Sequence, residues 1–124
     1  MNKAFIGLAI ALVALTVLVF APSRSAPVAD AAVDSCGVTG LDVPDSGPNF
    51  DFTTACAGHD SCYGTHHGEG EVARKACDDK FLADMLGSCT AQWPRQAVRR
   101  AACNAVAGIY YSGVRLGGWL FFYG

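Results

Sequence analysis

The sequence predicts a small, mostly α-helical domain that is cross-linked by disulfides and follows an export signal. Apolar residues recur at helical spacing in three segments after residue 53, and no two segments show the alternation of paired strands. All six cysteines follow residue 35, and in an exported chain they indicate three disulfides, which help a small core to stay folded. The formal net charge of −2 argues against nucleic acid as the main partner.

Residues 1–31 have the composition of a signal peptide. Lys3 precedes an apolar run from Ala4 to Ala21, and small residues then offer cleavage sites at 23–25 or at 29–31. The run is near the lower length limit for a membrane span, so an uncleaved anchor is the alternative. Export is favoured because no later segment repeats the pattern. We therefore predict a signal peptide over 1–31, cleaved between 25 and 31, and a secreted domain over 32–124.

Three helices are predicted in that domain, after an ordered loop over residues 34–52 that is rich in Gly, Pro, Asp and Ser. The first begins at a threonine cap, Thr53 or Thr54, and ends near Tyr63. The second covers residues 71–87. The third begins near Pro94, which suits a first helical turn, and ends at 117–118. Consecutive helices joined by a short loop usually pack antiparallel, so we expect the first two to do so.

The first helix carries the most informative motif, Cys-Ala-Gly-His-Asp-Ser-Cys-Tyr over residues 56–63. At 3.6 residues per turn, His59, Asp60 and Tyr63 share one broad face with Cys56. Histidine is the side chain whose ordinary pKa allows it to take a proton near neutrality. The neighbouring carboxylate can bind Ca²⁺, which prefers oxygen ligands. This spacing indicates a general base beside a calcium ligand.

The second helix supplies a matching carboxylate directly after a cysteine. If Cys62 is linked to Cys77 across antiparallel helices, Asp78 is displaced toward His59, one turn before Cys62. The carboxylate can then bind one imidazole nitrogen and leave the other free to take a proton from water. Asp79 lies about 100° further round the helix, so we expect it to face Lys75 and solvent.

These residues resemble the secreted phospholipases A2, most closely their small prokaryotic and fungal branch, from Asp34 to about Val114. Residues 34–36 are similar to that branch's Asp-Leu-Cys calcium loop, and residues 50–56 to the stretch that leads into its catalytic helix. Residues 55–60 match its Ala-Cys-Ala-Arg-His-Asp signature except at Gly58. Phe81, the Asp-Met step at 84–85 and the cysteines at 89 and 103 also match, whereas those at 62 and 77 resemble a bridge of the animal and venom enzymes.

The resemblance implies two long antiparallel helices linked by disulfides, a third helix and a calcium-binding loop. It also implies calcium-dependent hydrolysis of the sn-2 ester of glycerophospholipids, which yields a fatty acid and a lysophospholipid at a membrane or micelle surface. The implied catalytic residues are His59, Asp78 and Tyr63. The implied metal ligands are Asp34, Ser35 and Asp60. The implied disulfides are Cys36–Cys56, Cys62–Cys77 and Cys89–Cys103.

Several alternatives stay open at this level. Residues 36–40 also resemble the animal loop, in which backbone carbonyls alone, here of Ser35, Gly37 and Thr39, supply the loop ligands. A non-catalytic, disulfide-stabilised binding or toxin-like protein could use the same scaffold, although joint retention of the site residues favours an enzyme. The apolar tail over 119–123 either inserts into a lipid interface or packs on the core. We expect a monomer, with Tyr110 and Tyr111 in the core and one of their hydroxyls near the catalytic aspartate.

Overall fold

The computed structural model describes residues 36–37 and 42–124. Helices dominate this part of the chain, as predicted. The predicted signal peptide and the loop residues Asp34, Ser35 and Thr39 lie outside the described residues. The elements, numbered in chain order, are β1 Ser46–Gly47, β2 Phe50–Asp51, α1 Thr53–Thr65, α2 Glu71–Gln92, α3 Ala97–Gly117 and α4 Trp119–Phe122.

The two short strands correct the expectation that residues 34–52 contain no strand pair. They form an antiparallel hairpin with Ser46 opposite Asp51 and Gly47 opposite Phe50. Strands of two residues are too short for alternation to be detected in the sequence. The hairpin is tied to α2, because the backbone oxygen of Asp51 accepts hydrogen bonds from Ser88 Oγ at 2.6 Å and Gln92 Nε2 at 3.1 Å.

The start of α1 was predicted at the right place but with the wrong cap. Neither threonine caps the helix; the N-cap is Phe52, which makes no side-chain capping bond. The carboxylate of Asp51 instead accepts a hydrogen bond from the backbone nitrogen of Thr53 at 3.1 Å. Phe52 is fully buried, so the end of the hairpin brings an aromatic side chain into the core directly before α1 begins.

The other helix ends also differ from the predictions. Helix α2 continues past residue 87 to Gln92, since Cys89 lies on the same buried face as Met85, one turn earlier. Pro94 is not part of α3, which begins at Ala97. The chain turns at residues 94–95, and Arg100 Nη1 donates to the backbone oxygens of Trp93 and Pro94 at 3.2 Å.

Disulfides and side-chain contacts show that α1 packs antiparallel to α2, and α2 antiparallel to α3. The cysteines form the predicted disulfides, which are Cys36–Cys56, Cys62–Cys77 and Cys89–Cys103. The Cα atoms of Cys62 and Cys77 are 5.7 Å apart, where α1 crosses α2. The buried core between the helices and the hairpin consists of Phe52, Ala55, Cys56, Phe81, Met85, Cys89, Cys103 and Ala107.

The apolar tail forms a short helix, α4. One of its residues packs on the core, and the others are exposed and available for a lipid interface. Phe122 is fully buried against Tyr63, with ring centroids 5.0 Å apart. The backbone oxygen of Phe122 accepts a hydrogen bond from Gly68, which fastens the tail to the α1–α2 loop. About half of each remaining large side chain is exposed; these are Trp119, Leu120, Phe121 and Tyr123. Within residues 36–37 and 42–124, no helix has the length and apolarity needed to cross a membrane.

Candidate active site

His59 lies on the buried face of α1, with 8% of the residue exposed. Its imidazole stacks on Phe81 of α2 at a centroid distance of 4.5 Å and contacts the ring of Tyr63 at 4.2 Å. Helical spacing explains the second contact, because residues four apart lie one above the other. The ring is therefore held between two aromatic side chains from different helices.

Asp78 approaches His59 from α2, as the sequence predicted. The His59 Nε2 and Asp78 Oδ1 atoms are 2.8 Å apart, and the Tyr63 hydroxyl donates to the same oxygen at 2.6 Å. An ionised carboxylate can only accept hydrogen bonds, so Nε2 carries the proton and Nδ1 keeps its lone pair. This is the arrangement of a general base with its orienting carboxylate.

The neighbouring Asp79 faces away from His59, also as predicted. Its carboxylate pairs with Lys75 on the exposed side of α2. It also accepts a hydrogen bond from the Tyr111 hydroxyl at 2.8 Å. The expectation that a tyrosine of α3 reaches the catalytic aspartate was therefore wrong, because Tyr111 reaches Asp79 and the Tyr110 hydroxyl binds the backbone oxygen of Pro44.

Two arginines at the second oxygen of Asp78 were missed by the sequence analysis. Arg115 Nη1 lies 2.7 Å from Oδ2 and Arg74 Nη1 lies 3.4 Å from it. Asp78 is fully buried, and burial by itself raises the pKa of its carboxyl. Hydrogen bonds from His59, Tyr63 and Arg115 outweigh burial, so the pKa of Asp78 lies below its ordinary value. The carboxylate is thus ionised at neutral pH.

The Tyr63 hydroxyl donates to Asp78 and also accepts a hydrogen bond from the Arg74 guanidinium. Burial and the hydrogen bond to Asp78 both raise the pKa of its phenol above the ordinary value. The space around its hydroxyl is limited by Gly118, where an added Cβ would lie 2.5 Å from the Tyr63 oxygen. A side chain at position 118 would therefore displace the hydroxyl from Asp78.

A second pair of acidic residues, Asp60 of α1 and Asp45 of the preceding loop, interacts electrostatically next to His59. Burial raises the pKa of Asp60, His59 lowers it and the negative charge of Asp45 raises it again, so the net shift is upward. Asp45 Oδ1 also accepts a hydrogen bond from the backbone nitrogen of Cys36 at 2.7 Å. The two ionised carboxylates repel each other, and a bound cation would relieve this repulsion. Together with the loop segment at residues 36–37, they fit a site for a divalent cation with oxygen ligands.

Asp45 was not selected by the sequence analysis, which had assigned the loop carboxylate to Asp34. Among the described residues, the metal-ligating atoms of Cys36, Asp45 and Cys56 lie within 4.8 Å of one another. The two cysteines are joined in a disulfide and offer no thiolate. Of these three residues, only Asp45 can therefore bind a metal ion, through its carboxylate.

A groove of about 970 Å³ lies between the N-terminal half of α1 and the C-terminal half of α2. Gly58 and Asp84 line it, whereas His59 and Asp78 do not. An added Cβ at Gly58 would lie 3.9 Å from Asp84 Oδ2, an ordinary contact. The backbone at position 58 therefore has room for a side chain, although this chain has glycine where the family signature has arginine.

Three long helices linked by three disulfides, with a buried His–Asp pair between the first two, are consistent with the phospholipase A2-like fold class. A family model described as prokaryotic phospholipase A2 matches residues 19–118, and the chain belongs to this family. The chain is also 39% identical over 69 residues to Conodipine-P2 and to Conodipine-P1 of Conus purpurascens. Each alignment covers 49% of this chain and 37% of the relative, so the chain spans little more than a third of their length. No solved structure matches it significantly.

Proposed function

We propose that the protein is a secreted, calcium-dependent phospholipase A2 that hydrolyses the sn-2 ester of glycerophospholipids. The observation that supports this most directly is the pairing of His59 Nε2 with the buried Asp78 carboxylate at 2.8 Å. It leaves Nδ1 as the basic nitrogen, as hydrolysis by an activated water requires. Membership of the prokaryotic phospholipase A2 family supports the choice of a phospholipid ester as substrate.

In the proposed reaction, His59 Nδ1 takes a proton from water while the water oxygen forms a bond to the sn-2 carbonyl carbon. Asp78 holds the Nε2–H group and stabilises the imidazolium that results. The bond between that carbon and the glycerol oxygen then breaks, and the imidazolium returns its proton to the leaving oxygen. The products are a fatty acid and a lysophospholipid. Tyr63 and Phe81 keep the imidazole in place during both proton transfers.

Calcium is the proposed cofactor, held by Asp60 and by the loop that includes Asp34 and Ser35. A bound Ca²⁺ would polarise the ester carbonyl and neutralise charge at the phosphate. The electrostatic repulsion between the Asp60 and Asp45 carboxylates supports a cation at this place. The hydrogen bond from Cys36 to Asp45 supports a role for Asp45 in holding the loop. Extracellular calcium concentrations suit a site of modest affinity.

The exposed aromatic side chains of α4 and of Tyr123, which follows it, are the proposed contact with the lipid surface. Trp119, Phe121 and Tyr123 are half-exposed, while Phe122 between them packs on Tyr63 of the dyad network. Aromatic side chains are favoured at membrane–water interfaces, where an apolar ring and a polar group meet different surroundings. The tail is thus a link between the lipid surface and the catalytic residues.

Export of the domain is proposed from the N-terminal sequence and the cysteines. Residues 1–31 have signal-peptide composition, and all six cysteines are paired in disulfides, which persist in oxidising compartments. The proposed mature protein begins at residue 32 or a few residues earlier. Mass spectrometry of the secreted protein would locate its N-terminus.

The experiment that tests this function measures hydrolysis of a phospholipid with different acyl chains at sn-1 and sn-2. We expect release of the sn-2 fatty acid with calcium, none with a chelator, and none from His59→Gln. Thr65→Ala, an exposed change at the end of the same helix, is the matched control and should keep full activity. A folded protein that releases no fatty acid with calcium would contradict the proposal and favour a non-catalytic binding role.

A further inference from the structure

Arg115 is a charged residue in a part of the sequence that is otherwise uncharged. Residues 101–114 contain no Asp, Glu, Lys or Arg, and Arg115 is the only residue of these types after Arg100. Only a quarter of its side chain is exposed. A charged group that is largely withdrawn from water is stabilised only by an opposite charge or by hydrogen bonds.

Both partners of Arg115 lie on α2, across the helix interface. Its Nη1 donates to Asp78 Oδ2 at 2.7 Å and its Nη2 donates to Glu71 Oε1. A guanidinium group presents its donors in a rigid planar fork, so two simultaneous bonds determine its orientation. Arg115 thereby joins the buried carboxylate of the dyad to an acidic residue at the protein surface.

Arg74 makes a different set of contacts, although it also approaches Asp78. Its guanidinium binds both oxygens of Glu71, at 2.7 and 3.1 Å, and the backbone oxygen of Val114 at 3.1 Å. Its bond to Asp78 is long, at 3.4 Å. A cation on the last carbonyls of α3 is favourable because that helix end is partially negative. Arg74 therefore mainly fastens α2 to the end of α3.

We propose that Arg115 is a positioning residue for the His59–Asp78 pair. A carboxylate turns readily about its Cβ–Cγ bond, because that torsion has no sharp staggered minima. His59 and Tyr63 donate to Oδ1 alone, and without Arg115 only the long 3.4 Å bond from Arg74 would hold Oδ2. The Arg115 fork holds Oδ2, so that Oδ1 faces Nε2 and the imidazole keeps its proton on Nε2 and its lone pair on Nδ1. This inference rests on the proposed hydrolytic function, but it predicts the tautomer of His59, which can be measured in the protein without substrate.

Kinetics of Arg115 variants supply the first test. In Arg115→Gln we expect kcat to fall about 10-fold, because small errors in the position of a catalytic group are costly. KM should stay within twofold, since Arg115 is occupied by Asp78 and Glu71. Arg115→Lys should be intermediate, because lysine keeps the charge but loses the fork. Arg99→Gln, the same change at an exposed position of α3, should match the wild type.

The second test is the tautomer ratio of His59, measured by ¹⁵N NMR of histidine-labelled protein at a pH where the imidazole is neutral. We expect nearly pure Nε2–H in the wild type and a mixture of tautomers in Arg115→Gln. His66 and His67 should give unchanged signals. A wild-type ratio in Arg115→Gln, whether or not kcat falls, would overturn the positioning role.

Circular dichroism establishes whether each variant is folded. If Arg115→Gln fails to fold, the same two measurements on Arg115→Lys decide, and a wild-type tautomer ratio there would again overturn the inference. The NMR measurement needs no substrate. It therefore separates failure of this inference from failure of the proposed function, which would appear as a wild-type protein without hydrolytic activity.

Discussion

The carboxylates of Asp78 and Asp79 have opposite surroundings, although the two residues are consecutive in the chain. Asp78 is fully buried on His59, whereas Asp79 pairs with Lys75 and Tyr111 at the surface. We expect Asp78→Asn to lower kcat by about 10²-fold or more, in line with the loss of acid–base assistance. Asp79→Asn should have little effect, because exposed ion pairs contribute weakly. Equal losses in the two variants would show that the helix register is wrong.

Asp78 should also make the stability of the protein depend on acidic pH. Burial raises its pKa, but the hydrogen bonds from His59, Tyr63 and Arg115 lower it further, to below its ordinary value of 3.8. The folded state therefore binds this proton less tightly than the unfolded state. The contribution to stability is complete above the unfolded pKa and is lost as the pH falls through the folded pKa.

Urea unfolding at a series of pH values measures this effect. The free energy of unfolding of the wild type should decline below about pH 4, and Asp78→Asn should be less stable at pH 7 but show a flatter decline. Asp79→Asn is the matched control, since its carboxylate is exposed, and its curve should follow the wild type closely. An equally steep decline in Asp78→Asn would exclude Asp78 as the source.

The calcium loop and the middle of α1, where Asp60 lies, are proposed to bind the ion together. Asp60→Asn should abolish activity at millimolar calcium, because a neutral amide is a much weaker calcium ligand than a carboxylate. Asp34→Ala should raise the calcium concentration for half-maximal activity severalfold if its side chain is a ligand. An unchanged requirement in Asp34→Ala would support the alternative loop, in which the carbonyls of Ser35, Gly37 and Thr39 are the ligands.

Helix α4 is expected to have two separable functions on its two faces. The double variant Trp119→Ser/Phe121→Ser should weaken binding to phospholipid vesicles several-fold and leave the free energy of unfolding nearly unchanged, because both side chains are half-exposed. Phe122→Ala should instead cost about 3–5 kcal/mol of stability, since its ring is fully buried on Tyr63. Vesicle sedimentation and urea unfolding measure the two properties. Vesicle binding unchanged in the double variant would contradict a lipid contact at α4.

For the whole molecule, two disulfides of similar loop length offer a matched comparison. Cys62–Cys77 and Cys89–Cys103 have sequence separations of 15 and 14. Replacing either pair by alanine should therefore cost a similar free energy of unfolding, about 3 kcal/mol. Only Cys62–Cys77 lies beside the dyad, whereas Cys89 is about three helical turns from Asp78. We expect kcat to fall when Cys62 and Cys77 are replaced and to stay near the wild-type value when Cys89 and Cys103 are replaced. Both variants are measured under conditions in which they are folded.

Comparable losses of kcat from the two double variants would contradict the idea that Cys62–Cys77 sets the dyad geometry. Peptide mapping of the non-reduced protein is the direct check on the pairing itself. Cys62 joined to any cysteine other than Cys77 would remove the physical basis for bringing Asp78 to His59.

The helices and the contact between His59 and Asp78 could be predicted from local patterns in the sequence. These features depend on local spacing: apolar residues repeat with the helical period, and each dyad residue lies within one turn of a cysteine. The resemblance to the secreted phospholipases A2 then identified the cysteine pairs. The roles of the site residues in catalysis and calcium binding stay predictions.

The surroundings of the His59–Asp78 pair could not be predicted from the sequence and are seen only in the folded structure. Arg115 is 37 residues from Asp78 in the chain, and no local spacing places its guanidinium on Oδ2. The same holds for Asp45 at the Cys36 backbone and for the burial of Phe122 among exposed aromatic neighbours. Such contacts depend on where α3 and the hairpin pack, and packing is a property of the assembled core rather than of any single segment.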